Sequence, residues 1–313
     1  MMFALRGIAV SLNCFILLYC LLSVLVTTAW RLLRPSHVAQ RSVAAVLFGM
    51  RILPLLVSVV VTFALVVPSL LLLKPLPTDM DLGAMPLVFG VCALVLIAYC
   101  FLRAIAAQTR TKRVVTCWLQ GARPAKANAD HTVTLQARPE TPPLTVVGVR
   151  HPRVLVSEAT IALLSQDELR MALRHELEHM KSRDNLKRLI LVFCPFPGMT
   201  KLESAWSQAA ELAADDASVS SQSDALDLAA ALVKLSRLVP VKAPPVCTMS
   251  FVAGRISQRV ESLLAWDEAS QARRVQIRTW FVVPFAVAVS LIVTIAYGPV
   301  LAITHEVTEW LVR

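Results

Sequence analysis

Four stretches of the 313-residue chain carry no Asp, Glu, Lys or Arg: 24 residues between Arg6 and Arg31, 22 between Arg51 and Lys74, 21 between Asp81 and Arg103, and 27 between Arg278 and Glu306. About 20 apolar residues in a helix cross a hydrocarbon core, so each stretch predicts one transmembrane helix. Pro54 and Pro68 fall in the second and predict a kinked span. Between the third and fourth stretches the pattern changes. Residues 132–136 (TVTLQ) alternate, 144–149 (LTVVGV) and 153–157 (RVLVS) are β-branched runs, and Pro142, Pro143 and Pro152 punctuate them. That predicts a small sheet or hairpin. Helical spacing follows. Ser165-Gln-Asp-Glu168 is a capping-box pattern, and Leu169, Leu173, Leu177 and Met180 recur at helical intervals along a helix drawn to Leu189. Further helices are predicted over 202–219 and about 224–238, and the proline-rich stretch 240–247 reads as a loop.

Composition sharpens this picture. The chain is 56% hydrophobic and 17% charged with a mean hydropathy of +0.63, whereas a soluble domain is roughly half apolar and a quarter charged. A wholly soluble protein, a disordered one and an ordinary nucleic-acid-binding module are excluded. A cleaved signal peptide would explain at most the first stretch, which ends at Trp30-Arg31 without a small-residue cleavage site. The formal charge of +10 is unevenly placed. Arg31, Arg34, Arg41 and Arg51 lie between the first two stretches, Arg103, Arg110, Lys112 and Arg113 follow the third, and Arg273, Arg274 and Arg278 precede the fourth. The segment from Lys74 to Asp81 has one Lys against two Asp. Since Lys and Arg are retained on the cytoplasmic side, the N-terminus is predicted outside, followed by three spans, a cytosolic segment, a fourth span and a short external tail. The predicted divisions are 1–111 with three spans, 112–277 as the cytosolic domain, 278–304 as the fourth span, and 305–313 as the tail. Trp30, Trp280 and Trp310 fall near predicted span ends, where indole rings favour the headgroup layer. The seven cysteines lack CxxC spacing and read as small buried apolar residues rather than a disulfide framework or a zinc ribbon.

The candidate chemistry lies in the string HELEH at 175–179. His175 and His179 are four apart, which stacks two imidazoles on one helical face, and two such imidazoles can share one tetrahedral Zn²⁺. Glu176 projects beside the metal, where it can act as general base toward the attacking water. A third ligand is expected on the next helix: Glu211, in ELAADDASV. Asp215, one turn further on, is suited to hydrogen-bond the free nitrogen of a liganding histidine. Asp216 is a rival for that role and Asp184 a rival for the ligand itself. For an oxyanion-stabilising group, His131, His151 and Arg255 are available, but nothing in the pattern selects one of them. None of the four apolar stretches holds an acidic or basic residue to relay substrate or protons, which argues against a transporter.

The segment SQDELRMALRHELEHMKSRDNLKRLI, the string AAELAADDASV and the strand-like GVRHPRVLVS ahead of them resemble the membrane-bound antirepressor zinc peptidases of BlaR/MecR type, and the four-span layout is similar. The resemblance implies an α-helical membrane protein with four transmembrane helices and a cytosolic α+β peptidase domain of gluzincin type. It implies Zn²⁺ as cofactor, held by His175, His179 and Glu211, with Glu176 as general base and Asp215 supporting the site. It places the chain in the bacterial inner membrane as a multi-pass metalloendopeptidase that cuts itself or a transcriptional repressor on signal. The chain departs from that family in one respect: residues 304–313 are too few for a penicillin-binding sensor domain. A separate sensor protein is therefore the expected source of the signal, and no direct contact with nucleic acid is expected. Other readings stay open at this point: a quality-control or CAAX-processing zinc endopeptidase, and a membrane signalling scaffold without catalysis.

Overall fold

The computed structural model describes residues 2–30, 39–73, 84–120, 122–124, 134–137, 141–196, 198–238, 249–250, 256–267 and 297–308. The chain divides into two compact units, one comprising 1–34, 49–101 and 277–313, the other 35–48 and 102–276.

The first unit is built from the apolar stretches. Helix α1 spans Met2–Ala29. Helix α2 spans Gln40–Val61 and continues through a π-helical turn at Thr62–Val66 into α3, Val67–Leu72. Helix α4 spans Ala84–Leu119. Among the described residues, three segments are long and apolar enough to cross a membrane: Gly7–Ala29, Gln40–Leu72 and Pro86–Leu119. Most of the fourth predicted stretch, 278–304, lies outside the described residues, and residues 297–308 at its end are helical. At about 1.5 Å per residue, the 36 residues of α4 reach roughly 54 Å, well beyond a hydrocarbon core of about 30 Å. Its basic C-terminal part belongs to the second unit.

The two prolines behave differently. Pro54 sits inside the continuous helix α2. Pro68 follows directly on the π turn and has no N–H to offer the carbonyl four residues back, at Ala64. Tyr297 supplies the missing donor: its hydroxyl donates to Ala64 O at 2.9 Å. In the span where the prolines predict a kink the structure has a π turn, and Ala64 O within it accepts from a hydroxyl of the last helix.

The second unit contains a five-stranded sheet: β1 (Arg123–Pro124), β2 (Thr134–Ala137), β3 (Leu144–Val147), β4 (Arg153–Ser157) and β5 (Met249–Ser250), in the order β1-β2-β4-β3-β5. β3 and β4 form the expected antiparallel pair, with Val146 opposite Val154. Gly148 follows β3 with φ 96°, and a Cβ there would come within 2.8 Å of His151 O, so only glycine fits. β2 runs parallel to β4, and β5 pairs antiparallel with the other edge of β3.

Helices α5 (Glu158–Leu163), α6 (Gln166–Lys181), α7 (Asp184–Phe193), α8 (Thr200–Ser218), α9 (Gln222–Ser236) and α10 (Ile256–Leu264) complete this unit. α6 is its central element and packs against β3, α8 and α9. Leu144, Val146, Val154 and Val156 of the sheet, Met171, Ala172, Leu173 and Leu177 of α6, and Leu228, Ala231, Leu232 and Leu235 of α9 form one buried core. The core therefore flanks the helix that carries HELEH, and burial of its apolar face fixes where the polar face points.

The start of α6 follows the sequence expectation. Ser165 Oγ accepts from Glu168 N, and Glu168 Oε2 accepts from Ser165 N. Lys234 of α9 adds its ammonium to Glu168 at 2.7 Å. Burial works upward on the Glu168 carboxyl, but Lys234 and Ser165 hold it below the usual range. Ser165→Ala is expected to destabilise the domain by about 1 kcal/mol, read as a lower apparent melting temperature of the detergent-solubilised protein.

The helix drawn from Leu169 to Leu189 is corrected. It is two helices, broken at Ser182-Arg183, where Arg183 adopts φ 54° and ψ 40°. A left-handed non-glycine residue costs roughly 1–2 kcal/mol. The two residues that follow offset that cost. Asp184 Oδ2 meets His179 Nδ1 at 2.8 Å, and Asn185 Nδ2 donates to Val146 O and Gly148 O at 3.0 Å each.

Candidate active site

One turn of α6 separates His175 from His179, and one turn of α8 separates Glu211 from Asp215. The packing of α6 on α8 brings these two pairs together. His175, Glu176, His179 and Glu211 are all at most 2% exposed. His175 Nε2 lies 3.1 Å from His179 Nε2, and Glu211 Oε2 lies 3.6 and 3.7 Å from those two nitrogens. Four ligands around a tetrahedral ion at about 2.0–2.1 Å sit roughly 3.3–3.4 Å apart. The three groups are close enough to hold one metal ion.

The tautomers point the same way. His175 Nδ1 lies 2.9 Å from Asp215 Oδ1, and His179 Nδ1 lies 2.8 Å from Asp184 Oδ2. A ring nitrogen facing a carboxylate carries the proton. For His179, whose Nδ1 is hydrogen-bonded to Asp184, Nε2 then presents a lone pair 3.1 Å from His175 Nε2, which Arg259 Nη2 also faces at 3.3 Å. Charge leads to the same conclusion. Four buried carboxyls, Glu176, Glu211, Asp184 and Asp215, face two lysine or arginine cations among the described residues, Arg259 and Lys187. The shortfall is what a divalent ion supplies.

Of the residues singled out in the sequence, His175, His179, Glu211, Glu176 and Asp215 converge on this site. Asp215 rather than Asp216 meets His175. Asp184 holds the far nitrogen of His179 and also accepts from Lys187 Nζ at 2.9 Å. Its side chain supports a ligand instead of being one. Asp184→Ala is expected to weaken metal binding about 10–100-fold, measured by chelator competition. His151 is exposed beside β4, and His131 and Arg255 lie outside the described residues.

Glu176 stands in this site with neither carboxylate oxygen hydrogen-bonded among the described residues. Burial pushes its carboxyl up to about 7, partly opposed by His179, His175 and Arg259. A general base works best near the operating pH. Burial works downward on His179, but Glu211, Asp184 and Glu176 prevail and raise it to about 10, which again marks surroundings that favour positive charge. Burial works upward on Glu211, yet Arg259 and His179 hold it well below the usual carboxylate range.

Arg259, on α10, is the site residue that sequence reasoning missed. It is 2% exposed. Its Nε donates to Asp215 Oδ2 and its Nη2 to Asp215 Oδ1, both at 2.7 Å, while Nη1 lies 3.0 Å from Glu211 Oε2. Its Nη2 also lies 3.3 Å from His175 Nε2.

A comparison with curated proteins finds no match. The sequence profile of the BlaR1 peptidase M56 family matches residues 80–263, more than half of the chain. The matched segment runs from the start of α4 to the end of α10 and contains every residue of the site. With a buried pair of histidines and a glutamate able to hold a metal, and with apolar helices able to cross a membrane, the chain belongs to the BlaR1 peptidase M56 family of metallopeptidases.

Proposed function

We propose that the protein is a zinc metalloendopeptidase of the bacterial inner membrane that hydrolyses peptide bonds on the cytosolic side and acts in signal transduction by cutting itself or a transcriptional repressor. The observation that carries this reading is the buried trio His175, His179 and Glu211 with the Glu176 carboxylate beside it, unpartnered among the described residues. In this reading residues 1–111 form the membrane domain, 112–277 the peptidase domain and 278–304 a fourth span, with the basic flanks facing the cytosol.

Zinc held by His175, His179 and Glu211 would lower the pKa of water and polarise the scissile carbonyl. The chain does the rest. Asp215 and Asp184 keep the histidine protons on Nδ1 and their lone pairs inward. Glu176 takes the proton of the attacking water and passes it to the leaving amine. Its buried surroundings keep bulk water from competing for that proton.

Strands at 144–157 suggest an edge for an extended substrate, but β5 of the same chain occupies the outer edge of β3. A separate substrate using that edge would have to displace β5.

The test is expression of the wild type beside Glu176→Gln, comparing which membrane and repressor proteins, this one included, lose full length. Loss confined to the wild type supports the reading, and identical patterns overturn it. For sidedness, a reporter fused after residue 120 is expected to score as cytosolic; an external score would overturn the topology.

A further inference from the structure

The guanidinium of Arg259 reaches the site from α10, an element outside both helices that carry the HELEH and ELAADD strings. It is 2% exposed and makes a two-pronged contact with Asp215, through Nε on Oδ2 and Nη2 on Oδ1, both at 2.7 Å. Paired planar contacts of this kind fix orientation as well as charge. The carboxylate so fixed is the one that lies 2.9 Å from His175 Nδ1. The third nitrogen, Nη1, lies 3.0 Å from Oε2 of Glu211, the oxygen nearest the two imidazoles.

We propose that Arg259 is a positioning residue for the metal: it aligns Asp215, and through it His175, while restraining Glu211 on the other side. The inference rests on the zinc peptidase reading of the site and adds to it a third helix.

Two consequences of removing the guanidinium oppose each other. Its positive charge repels a metal ion, so its loss favours binding. Its loss also leaves Glu211 and Asp215, one turn apart on α8 and buried, without the guanidinium that contacts both. The carboxylates then separate, and the donor set loses its alignment. The second effect is expected to prevail, because two contacts at 2.7 Å tie Arg259 to the carboxylate beside His175, even though its Nη2 stands 3.3 Å from His175 Nε2. A lysine keeps the charge but offers a single ammonium and not a planar fork.

Zinc affinity by chelator competition, and the visible absorption of the cobalt(II)-substituted protein, test this on the detergent-solubilised full chain. The set is wild type, Arg259→Met, Arg259→Lys, Asp215→Asn and the double variant Asp215→Asn/Arg259→Met. Arg259→Met is expected to weaken zinc about 10–100-fold and to alter the cobalt bands, with Arg259→Lys recovering only part of each. The losses in the double variant are expected to be less than multiplicative, since the arginine acts through the aspartate. Wild-type affinity and spectrum in Arg259→Met, or losses that multiply in full, would overturn the proposal. If Arg259→Met aggregates, the cobalt spectrum of Arg259→Lys decides: altered bands support the role, and wild-type bands overturn it. A wild type that takes up no stoichiometric zinc removes the underlying reading of the site, and the inference with it.

Discussion

Glu176→Gln is expected to lower the peptidase rate by about 10²–10⁴-fold, the usual contribution of a positioned general base, while zinc stays bound at one ion per chain. The two halves of that outcome have separate causes. The amide is nearly the same size as the carboxylate, and Glu176 is not among the three groups whose donor atoms converge, so the metal position should be untouched. The lost property is proton transfer from the attacking water. The measurement is turnover of a substrate protein together with zinc content of the same sample. Loss of activity together with zinc would mean that Glu176 is a ligand or a structural group. Full activity would mean that the proton goes elsewhere.

His179→Ala is expected to have the larger effect on metal, and Glu211→Ala a similar one. A four-ligand zinc site is worth about 10–16 kcal/mol. Shared evenly, one ligand contributes about 2.5–4 kcal/mol, or roughly 10²–10³-fold in affinity. His179→Ala also abandons the Asp184 carboxylate, which is left with Lys187 in a buried position. Removing one partner of a buried charged contact costs more than the contact itself contributes. The expected result is a purified protein with substoichiometric zinc and no detectable proteolysis, and a lower apparent melting temperature than Glu176→Gln. Elemental analysis and thermal unfolding in detergent measure it. A His179→Ala protein with full zinc content would place the ion elsewhere in the chain.

The parts of the site that the sequence discloses are those set by local geometry. HELEH and the Glu211/Asp215 pair each span one helical turn, so their shared faces follow from the period of the helix alone. The same holds for the Ser165–Glu168 cap. Arg259 was out of reach because it lies 84 residues from His175 and 44 from Asp215. No local spacing connects it to either, and as one arginine in a basic chain it looks like solvated charge. Only the burial of the acids on α6, α7 and α8, which the structure gives, shows the need for a compensating cation. The break at Arg183 was hidden for another reason. Leu186 and Leu189 continue the apolar spacing across it, and the residue that takes the left-handed conformation has no unusual chemistry. What decides the break is tertiary, namely the contacts of Asp184 and Asn185. Asp184 was accordingly weighed as a ligand from sequence, whereas its position beyond the break turns it toward the outer nitrogen of His179.

The contact between Tyr297 and Ala64 has a mechanical corollary. In hydrocarbon an acceptor stripped of its donor costs several kcal/mol, so the phenol and the carbonyl are tethered wherever lipid surrounds them. A displacement of the final helix along its axis that keeps this contact would carry the π turn with it.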